Sequence, residues 1–246
     1  MPDAPASQPS APVAVITGAS SGIGRAVALA LARLGWRLCL AARHAHPLEQ
    51  VADEARALGA ADLMIKGTNI GIPAEAENLI DFTAEAFGRI DALINNAGLA
   101  LLKPIGSMTA REIEQLFAVN AEGPAIAINR AWPVMVRNGG GRIVCVSTLG
   151  TRDPFAGFFG YAAAKCAMNS FVRSIAREGR AGNIRGFAVA PGAVETPMLR
   201  SMFDERALPA ARCLQPADVA DVIVACAVGQ RDDMNGQTIW LEGPAR

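Results

Sequence analysis

The sequence predicts an α/β protein of one domain, built on a seven-stranded parallel sheet with helices on both faces. Three observations carry that prediction. Short runs of β-branched and apolar residues alternate with amphipathic helical patterns from Val13 onward. The intervals between runs are long enough for the crossover helices that parallel pairing requires. A length of 246 residues with 51% hydrophobic content suffices for one large core and falls short of two independent catalytic domains.

In chain order, residues 1–12 are rich in Pro, Ala and Ser, with no basic start and no apolar run. They read as a disordered tail, not a signal peptide or anchor. The domain then runs over 13–246. Strands are expected at Val13–Thr17, Arg37–Ala41, Leu63–Lys66, Ala92–Asn95, Arg142–Val146, Ile184–Ala190 and Thr238–Leu241. Between them, Ile23, Val27, Leu31 and Leu34 mark one helix face, and Val219, Val222, Ile223 and Cys226 another. No apolar stretch has the length and purity of a membrane span.

The first strand runs into Thr17-Gly18-Ala19-Ser20-Ser21-Gly22-Ile23-Gly24 and then a helix. Free N–H groups and the positive end of the helix dipole favour a pyrophosphate there, and glycines let it approach the backbone closely. The spacing is GxxxGxG, not the general GxGxxG dinucleotide fingerprint. After the second strand comes Ala41-Ala42-Arg43, with no acidic residue to bond ribose hydroxyls. An arginine there can clamp a 2′-phosphate, so NADP(H) is expected over NAD(H); the alternative is an arginine pointing to solvent. His44 and His46, the only two histidines, lack a third metal ligand at suitable spacing, and no metal site is expected.

Tyr161 is the only tyrosine, and Lys165 follows one helical turn later. An ammonium beside a phenol favours the phenolate, which makes Tyr161 a candidate acid/base. The 23 basic and 23 acidic residues cancel, which leaves no electrostatic footprint for nucleic acid or an anionic membrane. Five cysteines without CxxC spacing suit reduced thiols in a cytoplasmic protein.

With Gly18-xxx-Gly22-x-Gly24, Asn95-Asn96-Ala97-Gly98, Asn120, Tyr161-xxx-Lys165 and Pro191-Gly192 in this order, the chain resembles the standard-length short-chain dehydrogenases/reductases from about Val13 to Gly243. The resemblance implies a Rossmann-type, doubly wound fold and interconversion of a secondary alcohol with a ketone or 3-oxoacyl group. Tyr161 takes the proton-transfer role while hydride passes to or from the nicotinamide. Lys165 is then expected to lower the tyrosine pKa and bond the nicotinamide ribose, and Asn120 to hold a water of the proton relay. Gly18, Ser20, Ser21, Gly22, Ile23 and Gly24 would cradle the phosphates. Asn69 and Ile70 would meet the adenine, Asn96, Ala97 and Gly98 the adenine ribose, and Pro191, Gly192, Val194 and Thr196 the carboxamide.

The family's substrate-orienting serine lies thirteen residues before the tyrosine, and that count lands on Thr148, with Ser147 beside it. Ungapped spacing favours Thr148; a one-residue insertion in 149–160 would make Ser147 the counterpart. A substrate lid is expected around 197–215. Met198, Leu199, Met202, Phe203 and Leu208, with Leu99, Leu101, Phe155, Phe158 and Phe159, imply an apolar pocket. Arg152 and Arg200 either meet an anionic substrate group or are solvated. The family implies a homo-oligomer, tetramer or dimer, with the helices around Asn120 and Tyr161 and the ending Trp240 to Arg246 as interfaces. The competing reading is a catalytically silent nucleotide sensor or scaffold of the same fold.

Overall fold

The computed structural model describes residues 11–243. Among them, seven strands form one sheet: β1 (Val13–Thr17), β2 (Arg37–Ala42), β3 (Asp62–Gly67), β4 (Ala92–Asn95), β5 (Gly141–Val146), β6 (Ile184–Pro191) and β7 (Thr238–Leu241). Their order is β3-β2-β1-β4-β5-β6-β7, and every neighbouring pair is parallel. β1, β4 and β7 have the expected bounds, and the other four extend by one residue at one or both ends.

The connecting helices are α1 (Gly22–Arg33), α2 (Ala45–Ala57), α3 (Pro73–Phe87), α4 (Ala110–Phe117), α5 (Gly123–Arg137), α6 (Phe159–Glu178), α7 (Pro197–Arg200) and α8 (Pro216–Ala227). Side chains alternate across the sheet with the two-residue period of a strand. Ala14 and Ile16 of β1, with Ala92 and Ile94 of β4, face a core built with Val27, Leu31, Leu48, Val51, Val219 and Ile223 of α1, α2 and α8. Val15 and Leu93, between them, face a second core with Leu79, Ile80, Ala127, Met168 and Val172 of α3, α5 and α6. Both faces are therefore buried, which is why these strands are apolar except at their last residues, Thr17 and Asn95.

One expectation is corrected. Leu34 does not continue the buried face of α1: the helix ends at Arg33, Gly35 turns the chain at φ 72°, and Leu34 is left 56% exposed. Of the expected tail, 1–10 lie outside the described residues. The carbonyls of Ala11 and Pro12 are held, accepting from the Arg37 Nε at 2.9 Å and the Arg37 N–H at 2.8 Å. Residues 244–246 of the expected C-terminal interface also lie outside the described residues.

Strand order reverses between β1 and β4, so the β1–α1 and β4–α4 connections leave the sheet in opposite directions. That opens a crevice at the carboxyl ends of the strands, where open α/β sheets bind ligands.

Candidate active site

A cavity of about 870 Å³ occupies this crevice. Every predicted site residue lines it except Gly24 and Asn120.

At the β1–α1 connection, Gly18 (φ 67°) and Gly22 (φ 53°) adopt the left-handed conformation. Gly24 is buried behind the loop, and a Cβ on it would stand 2.3 Å from the Gly18 carbonyl oxygen and 2.5 Å from Asn96 Nδ2. Lack of a side chain there lets the helix pack closely on the loop. Asn96 ties the loop to β4 by donating from Nδ2 to the carbonyls of Thr17 at 2.9 Å and Gly18 at 3.1 Å. Ser21 provides no side-chain cap to α1, and no acidic residue stands in its first turn. The first N–H groups of α1 thus lack a protein acceptor beside a cavity lined by Ser20, Ser21, Gly22 and Ile23. An uncapped helix start with a glycine approach fits a diphosphate.

Arg43 is exposed at the end of β2, lines the cavity, and forms no ion pair with the described residues. His44 lines the same end, while His46 faces outward 3.5 Å from Glu49. Among the described residues, no three His, Cys, Asp or Glu side chains are grouped to hold a metal ion. Asn69 Oδ1 accepts from the Gly71 N–H at 3.2 Å, and the Asn69 N–H donates to Glu75 at 2.6 Å.

Tyr161 and Lys165 lie in the first two turns of α6, both buried. The Lys165 ammonium donates to the Val146 carbonyl at the end of β5, 2.8 Å away. Burial lowers the Lys165 pKa to about 8, with the neighbouring Cys145 pulling weakly the other way. Burial pushes Tyr161 up to about 12, the opposite of the direction expected from a nearby ammonium. Desolvation of the phenolate is the cause, and Phe158 packs its ring edge-on to Tyr161, centroids 5.3 Å apart.

The two neighbouring hydroxyls have different tasks. Ser147 is 2% exposed, and its Oγ donates weakly to the Lys165 carbonyl at 3.5 Å, which ties β5 to α6. Thr148 is half-buried, and its Oγ1 accepts from the Gly150 N–H at 3.2 Å. That bond fixes the Thr148 side chain and leaves its proton available to an acceptor in the cavity.

Asn120 is fully buried within a π-helical turn, Ala118–Glu122, that joins α4 to α5. Its Nδ2 donates to the carbonyls of Leu99 (2.8 Å) and Leu116 (2.9 Å), and its Oδ1 accepts from the Leu99 N–H (3.2 Å). Both amide hydrogens are engaged by backbone, so the side chain acts as a brace behind the cavity wall.

The expected lid begins with α7, whose N-cap Thr196 accepts from Leu199 N–H at 3.2 Å and donates to the Val194 carbonyl at 3.1 Å. A parallel bridge between Val194 and Leu214 returns the segment to the body. Arg200 is neither solvated nor open to a substrate anion. Its guanidinium pairs with both Glu195 oxygens and donates to the carbonyls of Leu208 at 2.8 Å and Phe203 at 3.4 Å. Arg152 lies outside the cavity, over the Trp240 ring at 5.8 Å and 3.8 Å from Glu242. Leu101 and Phe159 also fall outside the lining; Phe159 is half exposed on the outer surface.

Sequence reasoning missed Thr17 and Glu195. The Thr17 hydroxyl accepts from the N–H groups of Asn96 and Ala97, each at 3.0 Å, and donates to the Ile94 carbonyl at 3.2 Å. Its partners lie 77 to 80 residues away, so no local pattern marks it. Glu195 could have been paired with Arg200 from their spacing, but nothing local shows that the pair spans a lid.

Residues 12–207 match the family model described as short chain dehydrogenase. The chain is 30% identical over 233 residues to an uncharacterised oxidoreductase of Listeria monocytogenes, covering 91% of this chain and 92% of that one. It is 31% identical over 237 residues to the 3-oxoacyl-(acyl-carrier-protein) reductase FabG of Staphylococcus aureus, covering 94% and 96%. The crystal structure of levodione reductase superposes with a TM-score of 0.87 at 27% identity, covering 94% of this chain and 96% of that one.

Proposed function

The chain belongs to the short-chain dehydrogenase family, and from that premise we propose that it interconverts a ketone, or a 3-oxoacyl group, and the secondary alcohol with NADP(H). The bound nicotinamide supplies the hydride, and the protein supplies the proton and the alignment. The N–H groups of 18–24 hold the pyrophosphate, Arg43 the 2′-phosphate, Asn69 and Ile70 the adenine, and Asn96 to Gly98 the adenine ribose. Lys165 holds the nicotinamide ribose, and the 191–196 loop the carboxamide.

The observation that carries the reading is the buried phenol of Tyr161 in the cavity wall, with Lys165 one turn on and Thr148 in the same lining. A phenol held up at about 12 stays protonated through the neutral range and serves as proton donor to a carbonyl oxygen. Thr148, whose hydroxyl proton is not claimed by protein, orients that oxygen. The similarity to the S. aureus 3-oxoacyl reductase and to levodione reductase supports a carbonyl substrate.

We assign the protein to the cytoplasm as a homo-oligomer, tetramer or dimer. The exposed Phe117, Val136 and Phe159 on α4, α5 and α6 support subunit contacts there. Among the described residues no helix is long and apolar enough to cross a membrane.

The test is loss of the reduced nicotinamide absorbance with a panel of ketones. Wild-type protein is expected to turn over at least one of them, and Tyr161→Phe to lose roughly 100-fold or more in kcat while still binding nucleotide. Tight nucleotide binding with no turnover of any carbonyl or alcohol would support the silent sensor instead.

A further inference from the structure

We propose that the substrate is an uncharged ketone bearing a flat ring, seated along an aromatic wall of Phe155, Phe158 and Phe203 that leads from solvent to Tyr161. The inference rests on the reductase reading above and deepens it. Phe155, on the connection from β5 to α6, is 51% exposed although it is a large apolar side chain. Its ring centroid lies 4.2 Å from that of Phe158 and 6.4 Å from that of Phe203, and Phe158 stands edge-on to Tyr161 at 5.3 Å. All four rings line the cavity. Aromatic surface left open at a cavity mouth and continuous with the proton donor offers a planar ligand ring the offset and edge contacts that aromatic pairs prefer.

Charge selects in the same sense. Among the described residues lining the cavity, Arg43 stands at the far end beyond β2, and the Lys165 ammonium is bonded to the Val146 carbonyl. Asp153 is the charged side chain beside Phe155 in sequence, and it disfavours an anion. Of the two arginines nearby in sequence, Arg152 lies outside the cavity lining and Arg200 is held by Glu195.

The experiment compares kcat/KM for 1-tetralone, 2-butanone and acetoacetate in the wild type and in Phe155→Ala, assayed with saturating NADPH and, separately, NADH. The expected result is a wild-type preference for 1-tetralone over both others. Phe155→Ala should lower the 1-tetralone to 2-butanone ratio about tenfold, and Phe155→Tyr should keep it. An equal loss on both ketones, an unchanged ratio, or a wild-type preference for acetoacetate overturns the inference and leaves the reductase reading standing. Nucleotide binding with no turnover of any ketone overturns the reductase reading itself, and this inference with it.

Discussion

Asn120 and Leu99 pair as two strands would: the amide Nδ2 donates to the Leu99 carbonyl at 2.8 Å while the Leu99 N–H donates back to Oδ1 at 3.2 Å. This fixes the segment after β4, which carries Ala97 and Gly98 along the cavity, against the π-helical turn before α5. Single π-helical turns of this kind recur within α-helices at functional sites.

Replacing Asn120 by Ala removes the acceptor of the Leu99 N–H and the donor to the Leu99 and Leu116 carbonyls. The expected cost is about 3 kcal/mol, read as a lower urea midpoint with unchanged slope, together with loss of turnover. Full stability with selective loss of turnover would mean the side chain acts in the chemistry directly.

The alkaline limb of activity should belong to Lys165. Its pKa is lowered to about 8, so the ammonium that the nicotinamide ribose needs is present below that pH and lost above it. kcat/KM for the nucleotide, which reports groups of the free enzyme, is expected to be flat below about pH 7. Above about pH 8 it falls, approaching tenfold per unit. Tyr161, held up at about 12, adds no fall until far higher pH. A profile flat to pH 10 would contradict the assignment.

Arg43→Ala should weaken NADPH binding about tenfold and leave NADH binding within about twofold, since only the former carries the 2′-phosphate. Because Arg43 is exposed, the difference should shrink as salt is raised. Titration calorimetry with both nucleotides at two ionic strengths measures this, and an equal loss for both would remove the clamp.

Arg200→Ala should loosen the lid between Pro197 and Leu208 by releasing Glu195 and the carbonyls of Phe203 and Leu208. The expected signs are faster proteolytic nicking within 197–208 and a KM raised several-fold for neutral and anionic ketones alike. A lysine cannot span the bidentate carboxylate and two carbonyls, so Arg200→Lys should not restore it. A loss confined to anionic substrates would instead place Arg200 against the substrate.

The sheet was legible in the sequence because burial on both faces demands unbroken apolar runs, and those runs end where the glycines and asparagines begin. The same legibility extends to the Gly18–Gly24 loop and to Tyr161 with Lys165, whose spacing on one helix brings them together without long-range help. Three matters were beyond it. Asn120 turned inward to backbone groups of Leu99 and Leu116. Gly24 proved to be a packing position against Gly18. Arg200 proved to be a lid clasp instead of a surface charge.

The choice between Ser147 and Thr148 shows the division most clearly. Local spacing names both hydroxyls within one residue, but which proton is free depends on partners on other segments: the Lys165 carbonyl eighteen residues on for Ser147, and the Gly150 turn for Thr148. The direction of the Tyr161 shift was likewise decided by packing. Sequence adjacency supplies a lysine, but desolvation is set by everything the fold stacks around the phenol. Periodicity and local spacing therefore determined the fold and the placing of Tyr161 one turn from Lys165, whereas hydrogen-bond partners and burial, which are properties of residues distant in the chain, were decided only by the tertiary structure.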